Sequence, residues 1–393
     1  MQIADNLIET AEAKYRQTDA VFLPRIGIDY AAMITNNPLN AFGFKLQQRS
    51  IAQSDFAPDL LNSPNATGDF SAKATLMQPV FNAELLVLRH AARKQIAIAG
   101  FKKQRTRDYV RFTAETEYSQ LQMSCEMLHV SKEALNTLQA IYKWVKDRYD
   151  QGYVQKSDLL NVEVQVKAVE TQIANAESMI AEHSDNLSLL MGKTIGTRYS
   201  PDSLQIEDFG QEAGYIPDTR SDYKAMETAI ASYDDLMKST RYNLVPKVIG
   251  FASYQINDKS MFGFGNSAYL AGVQLTWNIF QGNEVHNKLV TQQLEQKQIK
   301  FQLADQKEQD ARALAKANQQ LKNAAFQLDQ YKTAVAQAEE ALQILQNRYK
   351  QGLAGTTDVL QAQTQLSQQH LYYKQAVTMH NSTLAYIRFL TAQ

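Results

Sequence analysis

The feature that most constrains this chain of 393 residues is an internal repeat with an offset of 200. The stretch 148–160 (RYDQGYVQKSDLL) returns as 348–360 (RYKQGLAGTTDVL), with Arg, Tyr, Gln, Gly, Asp and the final Leu at matching places. Each stretch interrupts a long helical pattern. A duplication over this distance predicts one architecture that is built from two similar halves.

Long helices precede both copies of the motif. Residues 83–149 and 284–350 contain no proline, so each range predicts one uninterrupted helix, about 100 Å long at 1.5 Å rise per residue. The apolar positions of the second helix keep a seven-residue repeat at Leu321, Ala324, Leu328, Tyr331, Val335, Ala338, Leu342, Leu345 and Tyr349. Such a repeat needs a partner helix. The return helices at about 157–191 and 356–390 are the predicted partners.

Short segments before the long helices alternate with a period of two, which predicts strands with one apolar face. They are residues 25–32, about 70–77 and 269–279. This alternation fits both a strand of a soluble sandwich and a strand of a membrane barrel. Because the chain offers only two hairpins, several chains would have to share a barrel.

Aromatic side chains bracket the clearest of these strands. Tyr269 and Trp277 lie eight residues apart, which corresponds to about 20 Å of height in a tilted strand. Phe70 takes the place of Tyr269 in the first copy. These three residues are the predicted membrane aromatic belt. The first hairpin is longer than the second, and residues 35–66 with their Asn-Pro and Ser-Pro turns predict an elaborated surface loop.

Composition and motifs argue against an enzyme. The net charge of −1 gives no field that would attract nucleic acid, and Cys125 as the single cysteine excludes an intramolecular disulfide. The histidines show no metal-ligand spacing, and no nucleophile elbow, phosphate loop or dinucleotide fingerprint occurs. We therefore predict no catalytic residue, no metal and no cofactor. The charge-rich run 305–310 is interpreted as a solvated helix face.

No run of about 18 apolar residues, the length that a spanning helix needs, occurs in the sequence. No signal peptide is visible, because Met1 opens directly into a helical pattern. We interpret this start as a truncated or processed N-terminus.

Each repeated tip can be explained by helix capping alone. A glycine stops the first helix, a hydroxyl residue caps the next, and an aspartate complements its dipole. The residues in these roles are Gly152, Ser157 and Asp158 in the first copy and Gly352, Thr357 and Asp358 in the second. Capping does not account for the repeated Arg and Tyr. In an alternative interpretation, a tyrosine and an aspartate on neighbouring helices form a hydrogen bond that holds the tips together.

The duplicated order of two strands, a very long helix, an Arg-Tyr-x-x-Gly…Asp-x-Leu tip and a return helix resembles the TolC-type outer membrane efflux protein family. Gln78–Phe81 and Trp277–Gly282, just before the long helices, add to the resemblance. It implies a mainly α protein with a membrane β-barrel part: a homotrimer with a twelve-stranded barrel in the outer membrane of a Gram-negative bacterium and a helical coiled-coil barrel in the periplasm.

The resemblance also implies a function and partners. The chain would be the passive exit duct of a tripartite efflux or type I secretion system, working with a periplasmic adaptor and an inner-membrane transporter. The expected organisation is a first repeat at 1–193, a linker at 194–220 and a second repeat at 221–393. Within the repeats we expect helices 2–22 and 221–243, β-hairpins 24–81 and 246–280, helical hairpins 83–193 and 284–390, and tips 148–158 and 348–358.

Family site roles carry over to matching positions of the tips. Tyr349 and Asp158 would form a closing contact, and Asp358 would form a ring of three carboxylates that favours cations. The predicted gate residues are Asp358, Asp158, Tyr349 and Tyr149. The predicted adaptor-docking residues are Gly152, Gly352, Arg148, Arg348, Gln151 and Gln351. Ala354 and Gln361 depart from positions where relatives carry an arginine and a second acidic ring.

Two other classes of protein stay open from the sequence. The first is a periplasmic adaptor or scaffold with a coiled-coil hairpin, which the duplicated hairpins and the aromatic-bracketed strand disfavour. The second is an enzyme with helical decoration, which lacks a convergent set of polar residues.

Overall fold

The computed structural model describes residues 1–207 and 214–392. Its elements follow the same order in both halves: a helix, two strands, a very long helix and a shorter one. In the first half they are α1 (Gln2–Gln17), β1 (Arg25–Thr35), α2 (Pro38–Gln47), α3 (Pro58–Asn62), β2 (Thr67–Phe81), α4 (Ala83–Asp150) and α5 (Lys156–Leu190). In the second half they are α6 (Ser221–Tyr242), β3 (Lys247–Asp258), β4 (Asn266–Thr276), α7 (Glu284–Lys350) and α8 (Thr356–Thr391).

The predicted long helices are confirmed to within a residue or two. Helix α4 has 68 residues and α7 has 67, and neither contains the proline that would break it. The return helices α5 and α8 begin and end where the sequence places them. Part of the predicted 194–220 linker, residues 208–213, lies outside the described residues. None of the helices in the described ranges is both long and apolar enough to cross a membrane.

The chain divides into two compact units. We call them the helical unit, which comprises Lys103–Tyr223 and Ala304–Gln393 together with Met1, and the sheet unit, which comprises Gln2–Lys102 and Lys224–Leu303. Each unit takes segments from both halves of the sequence.

The sheet unit holds one four-stranded antiparallel sheet in the order β1-β2-β3-β4. Directly opposed residues share a face, so the register sorts the side chains. One face is apolar and largely exposed, with Ile26, Ile28, Ala72, Ala74, Tyr254, Tyr269, Val273 and Leu275. The other carries mainly polar or small side chains, among them Asp29, Asp69, Lys73, Asn257, Gln274 and Thr276. The predicted two-faced strands are confirmed.

One sequence expectation for the sheet unit is refined and one is wrong. The elaborated connection at 35–66 contains α2, α3 and the short 3-10 helix Gln53–Phe56 besides its loops and turns. Strand β4 ends at Thr276, so Trp277 lies beyond it, and its indole nitrogen donates to the Leu244 carbonyl at 3.0 Å. Of the other predicted belt residues, Tyr269 is exposed on the apolar face and Phe70 is half-buried there.

The helical unit is held by heptad-spaced side chains from both halves of the chain. One core cluster joins α4, α5, α7 and α8 through Ala134, Leu138, Ile141, Val145, Val162, Val169, Leu342, Tyr349, Val359 and Leu360. Two further clusters lie along α7 and α8, around Leu384 and around Val377. Full burial of each large apolar side chain stabilises the fold by about 1.5–3 kcal/mol. The coiled-coil prediction is therefore confirmed within this unit.

A buried ionic cluster in the same unit corrects the interpretation of 305–310 as a solvated face. Arg220 is fully buried; it donates to both carboxylate oxygens of Asp222 at 2.7 and 2.8 Å and also to Asp310, which is itself buried. Burial opposes the Arg220 charge, but these carboxylates raise its pKa. Burial, followed by a 2.8 Å hydrogen bond to Asp310, raises the pKa of the Tyr223 hydroxyl. Arg220 therefore stays charged and the Tyr223 hydroxyl stays protonated at neutral pH.

Candidate functional site: the two hairpin tips

Each helical hairpin of the helical unit turns at the glycine that the sequence predicts. Gly152 has a φ of 78° and Gly352 a φ of 75°, a left-handed conformation that costs other residues about 1–2 kcal/mol. The next residue closes the turn on the helix end, with Tyr153 N to the Arg148 carbonyl and Leu353 N to the Arg348 carbonyl, both at 2.9 Å. The predicted role of the two glycines is confirmed.

The caps of the return helices differ from the prediction. Helix α5 begins at Lys156 and α8 at Thr356, so Ser157 and Thr357 already lie inside the helices and are not caps. The aspartates serve instead. Asp158 accepts from the backbone N–H of Gln155 at 3.2 Å, and Asp358 accepts from that of Gly355 at 2.9 Å. Each carboxylate satisfies a backbone donor at a helix start and complements the helix dipole.

Arg148 links the two tips. Its guanidinium lies 4.7 Å from the centre of the Tyr349 ring, and its Nη2 donates to the Tyr349 carbonyl at 3.2 Å. A second cation–π contact places the Lys350 ammonium 5.3 Å from the Trp144 ring. Contacts of this kind contribute about 0.5–1 kcal/mol each at exposed sites. The Arg148–Tyr349 contact gives a role to one arginine and one tyrosine of the repeated motif, which capping left unexplained.

In the described part of the chain, Tyr349 and Asp158 have other partners than the hydrogen bond predicted between them. The Tyr349 hydroxyl is buried and accepts from the Thr356 hydroxyl at 3.3 Å. Asp158 is bound to the start of its own helix instead. The sequence did not indicate Thr356, because its counterpart at the 200-residue offset is Lys156.

The remaining predicted tip residues are exposed. They are Tyr149, Gln151, Gln351, Arg348 and Asp358. Arg348 donates to the carbonyl of Leu353 in its own turn at 3.5 Å. Sequence reasoning missed Tyr153 and Leu353, whose apolar side chains are exposed at the apex of the two turns. The sequence did contain a signal for this exposed pair, because an apolar residue directly follows the turn glycine in both copies.

Comparisons with known proteins identify the family. The sequence model of the outer membrane efflux protein family matches residues 1–193 and 218–391. The chain therefore belongs to this family. It is an outer membrane efflux channel of a Gram-negative bacterium that extends into the periplasm, and it is not an enzyme. Nothing in the comparisons favours the adaptor alternative. No protein of curated function is a significant match to the sequence.

Solved structures share the fold at low sequence identity. The outer membrane protein VceC of Vibrio cholerae is 17% identical with a TM-score of 0.79, and the match covers 99% of this chain and 92% of that one. The CmeC outer membrane channel of Campylobacter jejuni is 14% identical with a TM-score of 0.79, over 99% and 82%. The MtrE outer membrane channel of Neisseria gonorrhoeae, in its open state, is 15% identical with a TM-score of 0.78, over 99% and 85%.

Proposed function

We propose that three copies of this chain form a passive export duct, which a periplasmic adaptor connects to an inner-membrane transporter. Each copy contributes two structural repeats, residues 1–193 and 221–393, joined by 194–220. The four-stranded sheets of three copies together make a twelve-stranded barrel. The observation that carries the proposal is a difference in burial between equivalent residues of the two tips.

The difference is clearest for one tyrosine and one leucine. Tyr349 is 3% exposed and Leu360 is 7% exposed, whereas their counterparts Tyr149 and Leu160 are 37% and 47% exposed. We call Tyr349, Thr356, Val359 and Leu360 the Tyr face of the second repeat. The Tyr face of the first repeat is Tyr149, Lys156, Leu159 and Leu160, and it borders an open apolar groove of about 830 Å³ between α4 and α5.

The side of each tip that carries the arginine differs in the opposite sense, because it is covered in the first repeat and mostly exposed in the second. Ile141, Trp144, Val145 and Arg148 form the Arg face of the first repeat, which packs on the Tyr face of the second. The equivalent Arg face of the second repeat is Ala341, Ile344, Leu345 and Arg348, of which only Leu345 is partly buried. One Arg face and one Tyr face are thus joined within the chain, and one of each is left over.

The two leftover faces are complementary because they repeat a pair that already packs together. Joining the Arg face of one copy to the Tyr face of the next is a head-to-tail contact, which generates a closed ring when the rotation allows it. The sheet supports the same arrangement. Strands β1 and β4 are its edges, and a bilayer leaves no water to satisfy unpaired backbone groups. Pairing β4 of one copy with β1 of the next would remove both edges.

The tips also offer a surface for an adaptor. The turns at Gly152 and Gly352 expose Tyr153 and Leu353 beside Gln151 and Gln351, and exposed apolar side chains with a polar rim are typical of protein interaction sites. Arg148 is engaged by Tyr349, so of the two predicted docking arginines Arg348 is the more accessible.

Cross-linking tests the head-to-tail contact. Trp144 and Lys350 lie together within the chain, and their counterparts at the offset of 200 are Ile344 and Asp150, both exposed. In a Cys125→Ser background, a short bis-maleimide should join Ile344→Cys of one copy to Asp150→Cys of the next. Denaturing gels should then show covalent dimers and trimers, and light scattering in detergent should give the protein mass of three chains.

The matched control is the pair Trp144→Cys and Lys350→Cys, which should cross-link within single chains and leave the mass of the denatured protein unchanged. A control that reacts while the test pair yields only monomers would contradict the proposed contact.

Ion selectivity tests the predicted carboxylate ring. Asp358→Asn removes a charge near the entrance but keeps a side-chain oxygen for the Gly355 N–H. Because a ring of three carboxylates attracts cations, this variant should shift the reversal potential in a salt gradient across a planar bilayer towards zero. Asp305→Asn, on the exposed middle of α7, serves as the control and should leave it in place. An unchanged reversal potential in Asp358→Asn would remove the ring from the mechanism and leave the fold intact.

A further inference from the structure

The two hairpins of the sheet unit are closed by very different connections. Residues 36–66, between β1 and β2, comprise 31 residues with α2 and α3, whereas residues 259–265, between β3 and β4, comprise seven. Both connections leave the sheet at the same end, because Thr35 pairs with Thr67 and Asn257 pairs with Asn266. The long one, here called the 36–66 segment, is fastened to the sheet by buried polar groups.

Asp69 is the centre of this attachment. Its carboxylate is fully buried and accepts from the side-chain amides of Gln48 at 2.9 Å and Asn257 at 2.8 Å. Gln48 also donates to the Gly68 carbonyl at 2.8 Å, and Asn257 donates to the side chain of Gln47 at 3.2 Å. A buried carboxylate that loses such donors is strongly destabilising. These hydrogen bonds therefore fix the C-terminal end of α2 to the sheet beside Asp69.

This attachment lies on the polar face of the sheet. Asp69, Asn257 and Asn266 all belong to this face by register, and the Asn266 amide donates to the Gln48 carbonyl at 2.5 Å. Farther along β2 the cover stops, since Ser71 is buried and Lys73 is exposed. The segment thus lies across the polar face at the hairpin end alone.

The short connection turns to the opposite face. The Phe262 ring stacks on Tyr30 with 5.5 Å between ring centres, and its backbone N–H donates to the Tyr30 hydroxyl at 3.3 Å. Tyr30 lies on the apolar face, opposite Ala72. The two connections therefore separate, the short one to the apolar side and the long one to the polar side.

We infer that the 36–66 segments of three copies narrow the outer end of the channel and set the size of the cargo that leaves it. The inference rests on the proposed assembly, in which the apolar face meets lipid and the polar face lines the bore. Leu39, Leu46 and Phe56 of the segment are exposed, so the constriction carries apolar side chains. It selects by diameter and by hydrophobicity, as apolar constrictions of pores do.

A deletion tests the constriction. Because Thr35 and Thr67 are paired, residues 38–64 can be replaced by a short Gly/Ser linker without parting the strands. Trimers of this variant should conduct at least about twofold better in planar bilayers, since a wider pore conducts more, and should admit larger polyethylene glycols than the full chain. Trimers with unchanged conductance and an unchanged polymer cut-off would overturn the inference. Conduction by trimers of the full-length protein in the same assay tests the proposed duct separately from the constriction.

Thiol labelling gives a second readout that keeps the segment intact. In a Cys125→Ser background, Leu39→Cys lies on α2 and Met261→Cys lies on the short connection, and both native side chains are exposed. A bulky methanethiosulfonate added to inserted channels should at least about halve the conductance of Leu39→Cys, because it occupies the bore, and should leave Met261→Cys unchanged. Complete labelling of Leu39→Cys with no change in conductance would overturn the inference, whether or not the deletion variant assembles.

Discussion

Arg220→Ala should destabilise the helical unit by about 3–5 kcal/mol, because it leaves the buried Asp310 carboxylate without its hydrogen-bonded cation. Arg220 is fully buried, bonds to Asp222 and Asp310, and donates to the Leu390 carbonyl near the end of α8 at 3.2 Å. The cluster therefore ties the start of α6 to α7 and α8. For a chain of this length we expect Tm, followed by far-UV circular dichroism in detergent, to fall by about 4–6 °C.

The control is an arginine on α7, two residues from Asp310, whose ion pair is exposed. Arg312 lies 3.4 Å from Glu308, and both side chains are largely in solvent, so Arg312→Ala should change stability by no more than about 0.5 kcal/mol. Asp310→Asn should fall between the two, because the amide keeps an oxygen for the Tyr223 hydroxyl. Equal Tm values for Arg220→Ala and Arg312→Ala would show that the buried cluster contributes nothing to stability.

Val273→Arg should prevent assembly of the channel in the membrane. Val273 lies on the apolar face of β4 and is 72% exposed in the single chain, where the proposed trimer meets lipid. An arginine at the middle of a lipid-facing strand costs about 2–4 kcal/mol, and a trimer bears this cost three times. We expect the fraction of the protein recovered as trimers from outer membranes to fall by at least about tenfold, the ratio that 1.4 kcal/mol produces.

Its control is the next residue on the same strand. Gln274 lies on the polar face, which the proposal assigns to the bore, so Gln274→Arg should leave the yield of trimers unchanged and lower the cation preference of the channel. If both variants assemble equally well, the assignment of the apolar face to lipid is wrong.

Local patterns predicted much of the fold. The heptad positions from Leu321 to Tyr349 and the absence of proline predicted α7 to within a residue, because helix periodicity and helix breakers act over a few neighbouring residues. The left-handed turns at Gly152 and Gly352 followed from the same kind of signal. Period-two alternation predicted the strands and their faces, though not where they end: β4 ends at Thr276, before Trp277.

Contacts between distant residues could not be predicted from such patterns. Asp310 resembled its exposed neighbours until the fold brought Arg220 to it across 90 positions. Arg148 and Tyr349 were known only as repeated residues until the two hairpins packed side by side. The 36–66 segment was predicted as a surface loop, and only its contact with Asp69 fixes the face of the sheet that it covers.

The sequence by itself determined the duplication, the helices, the two-faced strands and the family, since each depends on residues whose spacing along the chain is fixed. The tertiary structure alone decided which of two equivalent tips is buried. The repeats are nearly alike in sequence at 148–160 and 348–360, yet Tyr349 is covered and Tyr149 is not. The reason is geometric, because two similar hairpins that pack side by side bury one face of each and leave the other exposed.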